Sequence, residues 1–192
     1  MNYIVLSKNH VTMHREVECM KIYLRPITED DANLIVKWRN SPSVLKHCFN
    51  REQITLESHL KFYKEYIETG KYKQYIVERI EETTGVVVYP IATVYLKDID
   101  KANKRCQLCI FTSDDEEWST EGQTIAAKQL LEIAFNELGM HKVYSYVFAK
   151  YPEEKALLET AGFEVETRLN DEIAGPDGSY EDTYRMAIYN KQ

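Results

Sequence analysis

The sequence predicts an α/β (α+β) domain built on one mixed β-sheet flanked by helices. Three observations support this prediction. Short apolar runs with the two-residue period of strands occur along the chain together with segments of helical period. A strand–helix–strand unit lies within a run of hairpin-like strands, which indicates that parallel and antiparallel pairs share one sheet. The 192 residues, 44% of them hydrophobic and 29% charged, are enough to bury one core.

The elements are predicted in the order β-α-α-β-β-β-α-β-α-β-β. The first strand begins directly after Met20, where KIYLRP alternates apolar and polar residues. Thr28–Asp31 resembles a capping box with acidic side chains at the positive end of a helix, and Ser41-Pro42 ends that helix. A second helix is predicted from Thr55 to Gly70.

Three strands separated by turn residues are predicted next, at Gln74–Ile80, Val86–Leu96 and Arg105–Thr112. The helix that follows begins near Ser119 and ends at Gly139. Its apolar residues form one continuous stripe at spacings i, i+3, i+4, i+7, i+8 and i+11: Ala127, Leu130, Leu131, Ala134, Phe135 and Leu138.

The last part of the chain is predicted to hold three strands and one helix. A strand at Lys142–Phe148 is followed by a helix that begins near Pro152, with two acidic residues in its first turn, and closes at Ala161-Gly162. Two strands, Phe163–Arg168 and Asp182–Tyr189, are joined by the turn-rich AGPDG.

Residues 1–19 are predicted to be an N-terminal extension, or the product of a start codon placed too far upstream, and residues 20–192 a single domain. The net charge of −7 argues against a nucleic-acid partner. No apolar stretch approaches the roughly 20 residues that cross a bilayer, so no membrane partner is expected. The N-terminus lacks the pattern of a signal peptide, so a cytoplasmic protein with four reduced cysteines is expected.

Three clusters have the residue types of a metal site. Cys106-Gln-Leu-Cys109 lies in a predicted strand, where residues three apart face opposite sides, so the two thiols are not expected to share an ion. His10 and His14 have helical spacing with Cys19 nearby but belong to the predicted extension. The acidic run Asp114–Glu117 is interpreted as a solvated turn, so no metal is expected.

Motifs of several large enzyme classes are missing from the sequence. It has no Gly-x-Ser-x-Gly elbow, no Walker loop and no paired Gly-x-Gly-x-x-Gly. Serine hydrolases with that elbow, P-loop nucleotidases and Rossmann dehydrogenases are therefore disfavoured.

The segment Ser119–Ala126, STEGQTIA, follows a strand and begins a helix. Unpaired amides and the positive end of the helix make a natural anion site, and Gly122 would let a phosphate approach the backbone. The same residues match a capping box, in which the side chains of Thr120 and Gln123 satisfy those amides instead. The residues alone leave both interpretations open.

Longer stretches carry a family resemblance. The run EGQTIAAKQLLEIAFNELGMHKVYSYVFAKYPEEKALLETAGFEVETR, with GSYEDTYRMAIY after it, resembles the C-terminal half of the Gcn5-related N-acetyltransferase (GNAT) superfamily. The segment LRPITEDDANLIVKWRNSPSV resembles its start. The chain is similar to ribosomal-protein N-terminal acetyltransferases and to nucleotide-amino-sugar N-acetyltransferases, and WRN and ITLESHLKFY favour the latter. The resemblance covers about residues 20–190.

The resemblance implies a splayed sheet with acetyl-CoA between two parallel strands, Arg105–Thr112 and Lys142–Phe148. The pantetheine would pair with the backbone of three residues: Ile110, Phe111 and Thr112. The pyrophosphate would lie on four amides, those of Glu121, Gly122, Gln123 and Thr124. A neutral amine then attacks the thioester directly in a ternary complex, after a base has removed its proton.

The chain departs from the family pattern at the phosphate loop and at the usual acid and base positions. Trp118, Glu121 and Gln123 stand at the Gln/Arg and Gly/Ala positions of that loop, and Glu121 would place negative charge beside a pyrophosphate. Four further positions are changed: Gln107 replaces a carboxylate, Tyr146 a glutamate, Tyr151 an asparagine and Leu158 a tyrosine.

Other residues are therefore the candidates for proton transfer. Tyr151 lies in the loop that approaches the CoA sulfur and is the candidate acid, with Tyr146 as a possible cleft residue and Asp114 as a relay through water. His47 and His59 are candidate bases, since histidine titrates near neutral pH. Each also has a purely structural interpretation, as a packing tyrosine or an exposed polar residue.

The sequence therefore predicts an acetyl-CoA-dependent N-acetyltransferase that uses no metal. Its acceptor is predicted to be a small-molecule or peptide primary amine, with an amino sugar or a protein N-terminus first. A monomer or homodimer is expected. The alternative is a catalytically impaired acyl-CoA-binding or interaction protein of the same fold, and a third possibility is transfer of a longer acyl chain.

Overall fold

One seven-stranded sheet organises the fold of the computed structural model, which describes residues 20–82, 85–110 and 112–191. The strands are β1 (Lys21–Pro26), β2 (Lys73–Glu81), β3 (Val87–Asp100), β4 (Arg105–Cys109), β5 (Lys142–Phe148), β6 (Glu164–Ala174) and β7 (Tyr180–Tyr189). Their order in the sheet is β1-β2-β3-β4-β5-β7-β6. All neighbours pair antiparallel except β4 and β5, which are parallel, so the predicted mixed sheet is confirmed.

The helices are α1 (Ala32–Arg39), α2 (Pro42–Leu45), α3 (Leu56–Phe62), α4 (Thr120–Glu132) and α5 (Pro152–Thr160). Turns of π-helix extend α3 to Ile67 and α4 to Glu137. The predicted order holds, with α2 as an addition. Ser41 is its extended N-cap and Pro42 its first residue, a position where proline loses no hydrogen bond. None of the helices in the described ranges is long and apolar enough to cross a membrane.

Helices cover both faces of the sheet. Ile76 and Val77 are adjacent and fully buried, yet they belong to different apolar clusters because successive strand residues face opposite sides. Ile76 packs with α1 around Trp38, which is 2% exposed. Val77 packs in the larger cluster with α4 and α5, where four residues of the predicted α4 stripe are buried: Ala127, Leu130, Leu131 and Ala134.

Several strand ends differ from the prediction. β4 ends at Cys109 rather than Thr112, and β3 continues past Leu96 to Asp100. β6 runs on to Ala174 through polar residues, because its pairing with β7 resumes after an irregularity at Leu169/Ile173. The ends of these strands are therefore determined by pairing with a neighbouring strand rather than by the local strand propensity.

β4 and β5 part after a short ladder, as the family resemblance implied. They pair only at Arg105↔Lys142, Cys106↔Val143 and Gln107↔Tyr144, although β5 continues to Phe148. The next carbonyl of β4, that of Leu108, accepts a bond of 2.9 Å from Ser145 Oγ, a side chain of β5. The strands are therefore splayed beyond this point.

Candidate active site

Three cavities adjoin where β4 and β5 part. The central cavity, of about 200 Å³, lies between the end of β4, β5 and the loop after α2. The front cavity, of about 430 Å³, lies between α1, α3 and strands β2 and β3. The helix-end cavity, of about 350 Å³, lies at the first turns of α4 and α5. Thr112 lines all three, and His47 lines the central and helix-end cavities, so they follow one another along the splay.

Residues 46–55 form the loop over these cavities, here named the front loop. The WRN motif holds this loop in position. The Asn40 side chain binds both backbone groups of Ile54, accepting from its amide at 2.8 Å and donating to its carbonyl at 2.7 Å. Arg39 Nη2 donates to the Asn50 carbonyl at 2.5 Å. The end of α1 thus holds the front loop through side-chain bonds to its backbone.

Arg51 attaches the front loop to the β6–β7 hairpin. Its guanidinium pairs with Glu181, donates to the Ala174 carbonyl at 3.2 Å and lies 5.4 Å from the Phe148 ring centroid. The loop is therefore held from both sides of the splay.

A pair formed by a half-buried histidine and a buried carboxylate lies at the junction of the central and helix-end cavities. His47 Nδ1 contacts Glu154 Oε1, and Glu154 is only 6% exposed in the first turn of α5. Burial raises the pKa of the Glu154 carboxyl, and its contact with His47 opposes that rise. The contact fixes the ring through Nδ1, so proton exchange with a ligand falls to Nε2.

The three predicted catalytic residues lie at different places. Tyr151 is the N-cap of α5, and its ring centroid is 4.4 Å from that of His47. Tyr146 lines the central cavity, with ring centroids of Phe49 and Tyr144 at 5.8 and 5.9 Å. Asp114 is exposed and lines the helix-end cavity. Their catalytic roles stay predictions.

The residues predicted to pair with pantetheine follow the end of β4. The Ile110 side chain is fully buried, and Thr112 is buried with its Oγ1 3.5 Å from the Ile110 carbonyl. Phe111 lies outside the described residues, as do His10, His14 and Cys19.

The first turn of α4 contains the segment STEGQTIA, for which the sequence left open a phosphate site or a capped helix start. The Glu121 carboxylate accepts a 3.1 Å bond from the Met20 amide, and is therefore turned toward the start of β1. The Gly122 amide donates to Ser119 Oγ at 3.3 Å. A Cβ on Gly122 would lie 2.9 Å from Met20 Sδ, the far end of a flexible side chain that would have to move aside.

The predicted capping box does not form, because the helix is capped one residue earlier by Ser119. The Gln123 amide donates to the Ser119 carbonyl at 2.9 Å, and its side chain donates to the Trp118 carbonyl at 3.0 Å. Thr124 Oγ1 donates to the Thr120 carbonyl at 2.8 Å. Phosphate binding by the amides of Glu121, Gly122, Gln123 and Thr124 stays a prediction.

Carboxylates line the helix-end cavity. Four acidic residues contribute to its wall together with Lys46 and His47: Asp114, Asp115, Glu153 and Glu154. Asp115 Oδ1 accepts the Glu117 amide at 2.9 Å, and Glu117 itself pairs with Arg79, which is consistent with the acidic run being a turn. Within the described ranges, no group of three or more His, Cys, Asp or Glu side chains could hold a metal ion.

The two cysteines of the Cys-x-x-Cys segment lie in different surroundings. Cys106 is fully buried in the core, whereas Cys109 lines the central cavity. Burial raises the pKa of the Cys106 thiol to about 12 and that of Cys109 to about 11, so both are protonated at neutral pH.

The front cavity is rich in hydrogen-bond donors that sequence reasoning did not assign. Arg39 and Lys97 line both this cavity and the central one. Arg39 Nη1 and His59 Nε2 are buried without a hydrogen-bond partner among the described residues. The WRN motif was a sign only of the amino-sugar branch of the family, and nothing in the sequence indicated which way Arg39 faces.

Comparisons with known proteins bear on the family of the chain. A family model described as "Acetyltransferase (GNAT) domain" matches residues 21–164. Spermidine N(1)-acetyltransferase of Escherichia coli (strain K12) is 25% identical over 172 residues, 89% of this chain and 87% of that protein. Acetyltransferase PseH of Campylobacter jejuni is 25% identical over 130 residues, 66% of this chain and 74% of that protein.

A solved structure supports the fold independently. The crystal structure of spermidine N-acetyltransferase from Vibrio cholerae in complex with CoA and spermine superimposes with a TM-score of 0.77. The match has 22% sequence identity and covers 88% of this chain and 95% of that one. At this identity, the likeness is one of fold.

Proposed function

This chain belongs to the GNAT acetyltransferase family, and we propose that it acetylates a primary amine of a small molecule at the junction of the central and helix-end cavities. The predicted family and the predicted class, an acetyl-CoA-dependent N-acetyltransferase, are confirmed. The observation that supports the location is the His47–Glu154 pair, which lies beside the splay of β4 and β5.

The splay fits the cosubstrate. Acetyl-CoA supplies the acetyl group as an activated thioester. Beyond Gln107 the edge of β4 has no partner strand on the β5 side, which leaves room for an extended ligand among the described residues. The first turn of α4 offers a positive helix end, and the Glu121 carboxylate is engaged by Met20 rather than left facing a phosphate.

His47 is proposed as the general base. An amine reaches the site mostly as its ammonium ion and must lose a proton before it attacks. A histidine accepts that proton readily near neutral pH, and Glu154 acts as its positioning residue by holding Nδ1. This arrangement replaces the carboxylates that stand at family positions occupied here by Gln107 and Tyr146.

Tyr151 is kept as the proposed acid. Its ring is in contact distance of the His47 ring, so the two groups that would handle protons adjoin each other. Leu158, which stands at the family's usual tyrosine position, is fully buried and offers no proton. Tyr146 and Asp114 remain secondary candidates, from the central and helix-end cavities respectively.

The test combines binding with turnover. Acetyl-CoA should raise the melting temperature, and His47→Gln should leave that rise in place while lowering kcat by about 100-fold or more. Tyr151→Phe should also lower kcat. Turnover is measured as release of CoA thiol with amino sugars, peptides and polyamines as acceptors.

The outcomes separate the alternatives. No stabilisation by acetyl-CoA would overturn the proposal. Stabilisation without thiol release for any amine would favour the acyl-CoA-binding protein, and a His47→Gln variant with normal kcat would remove the proposed base.

A further inference from the structure

We propose that the acceptor amine also carries an acidic group, a carboxylate or a phosphate, which Arg39 and Lys97 bind between the front and central cavities. The inference rests on the proposed function for the place where the amine reacts. It adds the chemical class of the acceptor.

Arg39 is the first part of the argument. Its Nη2 is used by the Asn50 carbonyl, but its Nη1 is buried and has no hydrogen-bond partner among the described residues. A guanidinium is always charged, and a buried donor without a partner is costly. No carboxylate within the described ranges forms an ion pair with Arg39, so its charge is available to a ligand in the cavities that it lines.

Lys97 places a second positive charge on the same cavities. It lies on β3, lines the front and central cavities, and makes no ion pair with any described residue. Burial raises the pKa of the Cys109 thiol, which lines the central cavity; the Lys97 ammonium opposes that rise and the Asp98 carboxylate adds to it. The neighbouring Asp98 is exposed and is not among the described residues that line either cavity.

The rest of the lining favours an anion over a cation. No aspartate or glutamate is among the described residues that line the front or central cavity. A polyamine would therefore bring further positive charge against Arg39 and Lys97 without a compensating carboxylate. We therefore expect acceptors that differ in charge from spermidine, after which the Escherichia coli and Vibrio cholerae relatives are named.

Neutral donors surround the two cations. His59 is 5% exposed, its Nε2 has no partner among the described residues, and burial lowers its pKa, so it is uncharged at neutral pH. Gln74 and Thr93 also line the front cavity, and Gln74 Nε2 donates to Thr93 Oγ1 at 2.9 Å, which fixes the amide in the cavity wall. An acid flanked by hydroxyl or amide groups matches this mixture of charged and neutral partners.

The first experiment compares matched amines. Glucosamine 6-phosphate is compared with glucosamine, and leucine with leucinamide, with spermidine as the cationic acceptor; the two pairs separate phosphate from carboxylate. The acidic member should have a kcat/KM about 10-fold higher or more. Arg39→Gln and Lys97→Gln should raise KM for it about 10- to 100-fold and change kcat less.

Lys101→Gln is the matched control, since it removes one positive charge from the exposed β3–β4 turn. Preference for glucosamine, leucinamide or spermidine over the acidic amines would overturn the inference. So would Arg39→Gln and Lys97→Gln variants that behave like Lys101→Gln.

The second experiment needs no turnover. Inorganic phosphate and acetate are compared with chloride at equal ionic strength, in the presence of saturating CoA, and the melting temperature is recorded. One or both anions should stabilise the wild-type protein and the Lys101→Gln variant, but not the Arg39→Gln/Lys97→Gln double variant. Equal shifts in all three proteins, or none, would overturn the inference while leaving the proposed function intact. Failure of CoA to bind would overturn the proposed function, and with it the acceptor, even if Arg39 and Lys97 still bound the anions.

Discussion

The substitution Glu154→Gln separates two effects of the His47–Glu154 pair, its effect on kcat and its effect on the free energy of unfolding. Glutamine has nearly the shape of glutamate and no charge. Glu154 is 6% exposed, and burial raises its pKa from the ordinary value of 4.5 even though His47 opposes the rise. The ionised form of Glu154 is therefore less stable, relative to its protonated form, in the folded protein than in water.

The kinetic consequence is a loss of base orientation. Without the carboxylate, the His47 ring is no longer held in the orientation and tautomer that make Nε2 a proton acceptor. The fall expected in kcat is about 100-fold or more, the range for losing an oriented general base. Acetyl-CoA affinity should change little.

The consequence for stability has the opposite sign. Because the folded-state pKa of Glu154 is raised, the folded protein binds this proton more tightly than the unfolded chain does. The free energy of unfolding therefore falls as the pH rises from 4.5 through the folded-state pKa, and glutamine removes that fall. At pH 7 the Glu154→Gln variant should match the wild type within about 1 kcal/mol or exceed it, since glutamine removes the buried charge whose desolvation is unfavourable.

Urea unfolding between pH 4.5 and 7.5 measures the stability, with Glu153→Gln as the control for removing an exposed carboxylate from the same turn. Release of CoA thiol measures kcat. An unchanged kcat would show that Glu154 does not position the base. A loss of more than about 2 kcal/mol at pH 7 would show that the carboxylate is a net stabiliser and refute the sign argued above.

Three further substitutions test the fold around the site. Gly122→Ala should match the wild type or exceed it by up to about 1 kcal/mol in urea unfolding, because alanine favours the helix and Met20 Sδ, 2.9 Å from the added Cβ, belongs to a flexible side chain; a loss of more than about 1 kcal/mol would mean that this contact cannot relax. Asn40→Ala should cost about 1–3 kcal/mol and raise the acceptor KM, since both bonds to Ile54 are lost, and an unaltered KM would separate the front loop from acceptor binding. Leu158→Tyr should cost about 1–3 kcal/mol without raising kcat, because the position is fully buried; a faster enzyme would show that the family's tyrosine can still reach the site.

Much of the fold could be predicted because its signals are local. The apolar stripe of α4 and the glycine that ends it are readable from spacing, and Gly139 indeed has a positive φ of 65°. Strand ends were predicted less well. Whether β6 stops at Arg168 or continues to Ala174 depends on β7, a partner that the local residues do not indicate.

The site was harder to predict than the fold, for a physical reason. From the sequence, Glu154 is only an acidic residue in the first turn of a helix, where its charge interacts favourably with the helix dipole. Its contact with His47 joins the front loop to α5, two segments far apart in the chain, and no spacing rule links them. Arg39 likewise needed the position of α1 over the cavities before its buried, unpartnered Nη1 became visible.

The distribution of charge along the splay would orient the proposed acceptor. Carboxylates line the helix-end cavity, and Glu154 meets His47 at its border with the central cavity, whereas Arg39 and Lys97 stand at the front. An amine that carries an acid would therefore be oriented by both of its charges, with the ammonium toward His47 and the acid toward the two cations. A polyamine would be attracted at the first end and repelled at the second. Orientation of this kind places the amine at the splay before its proton is lost, which is where transfer needs it.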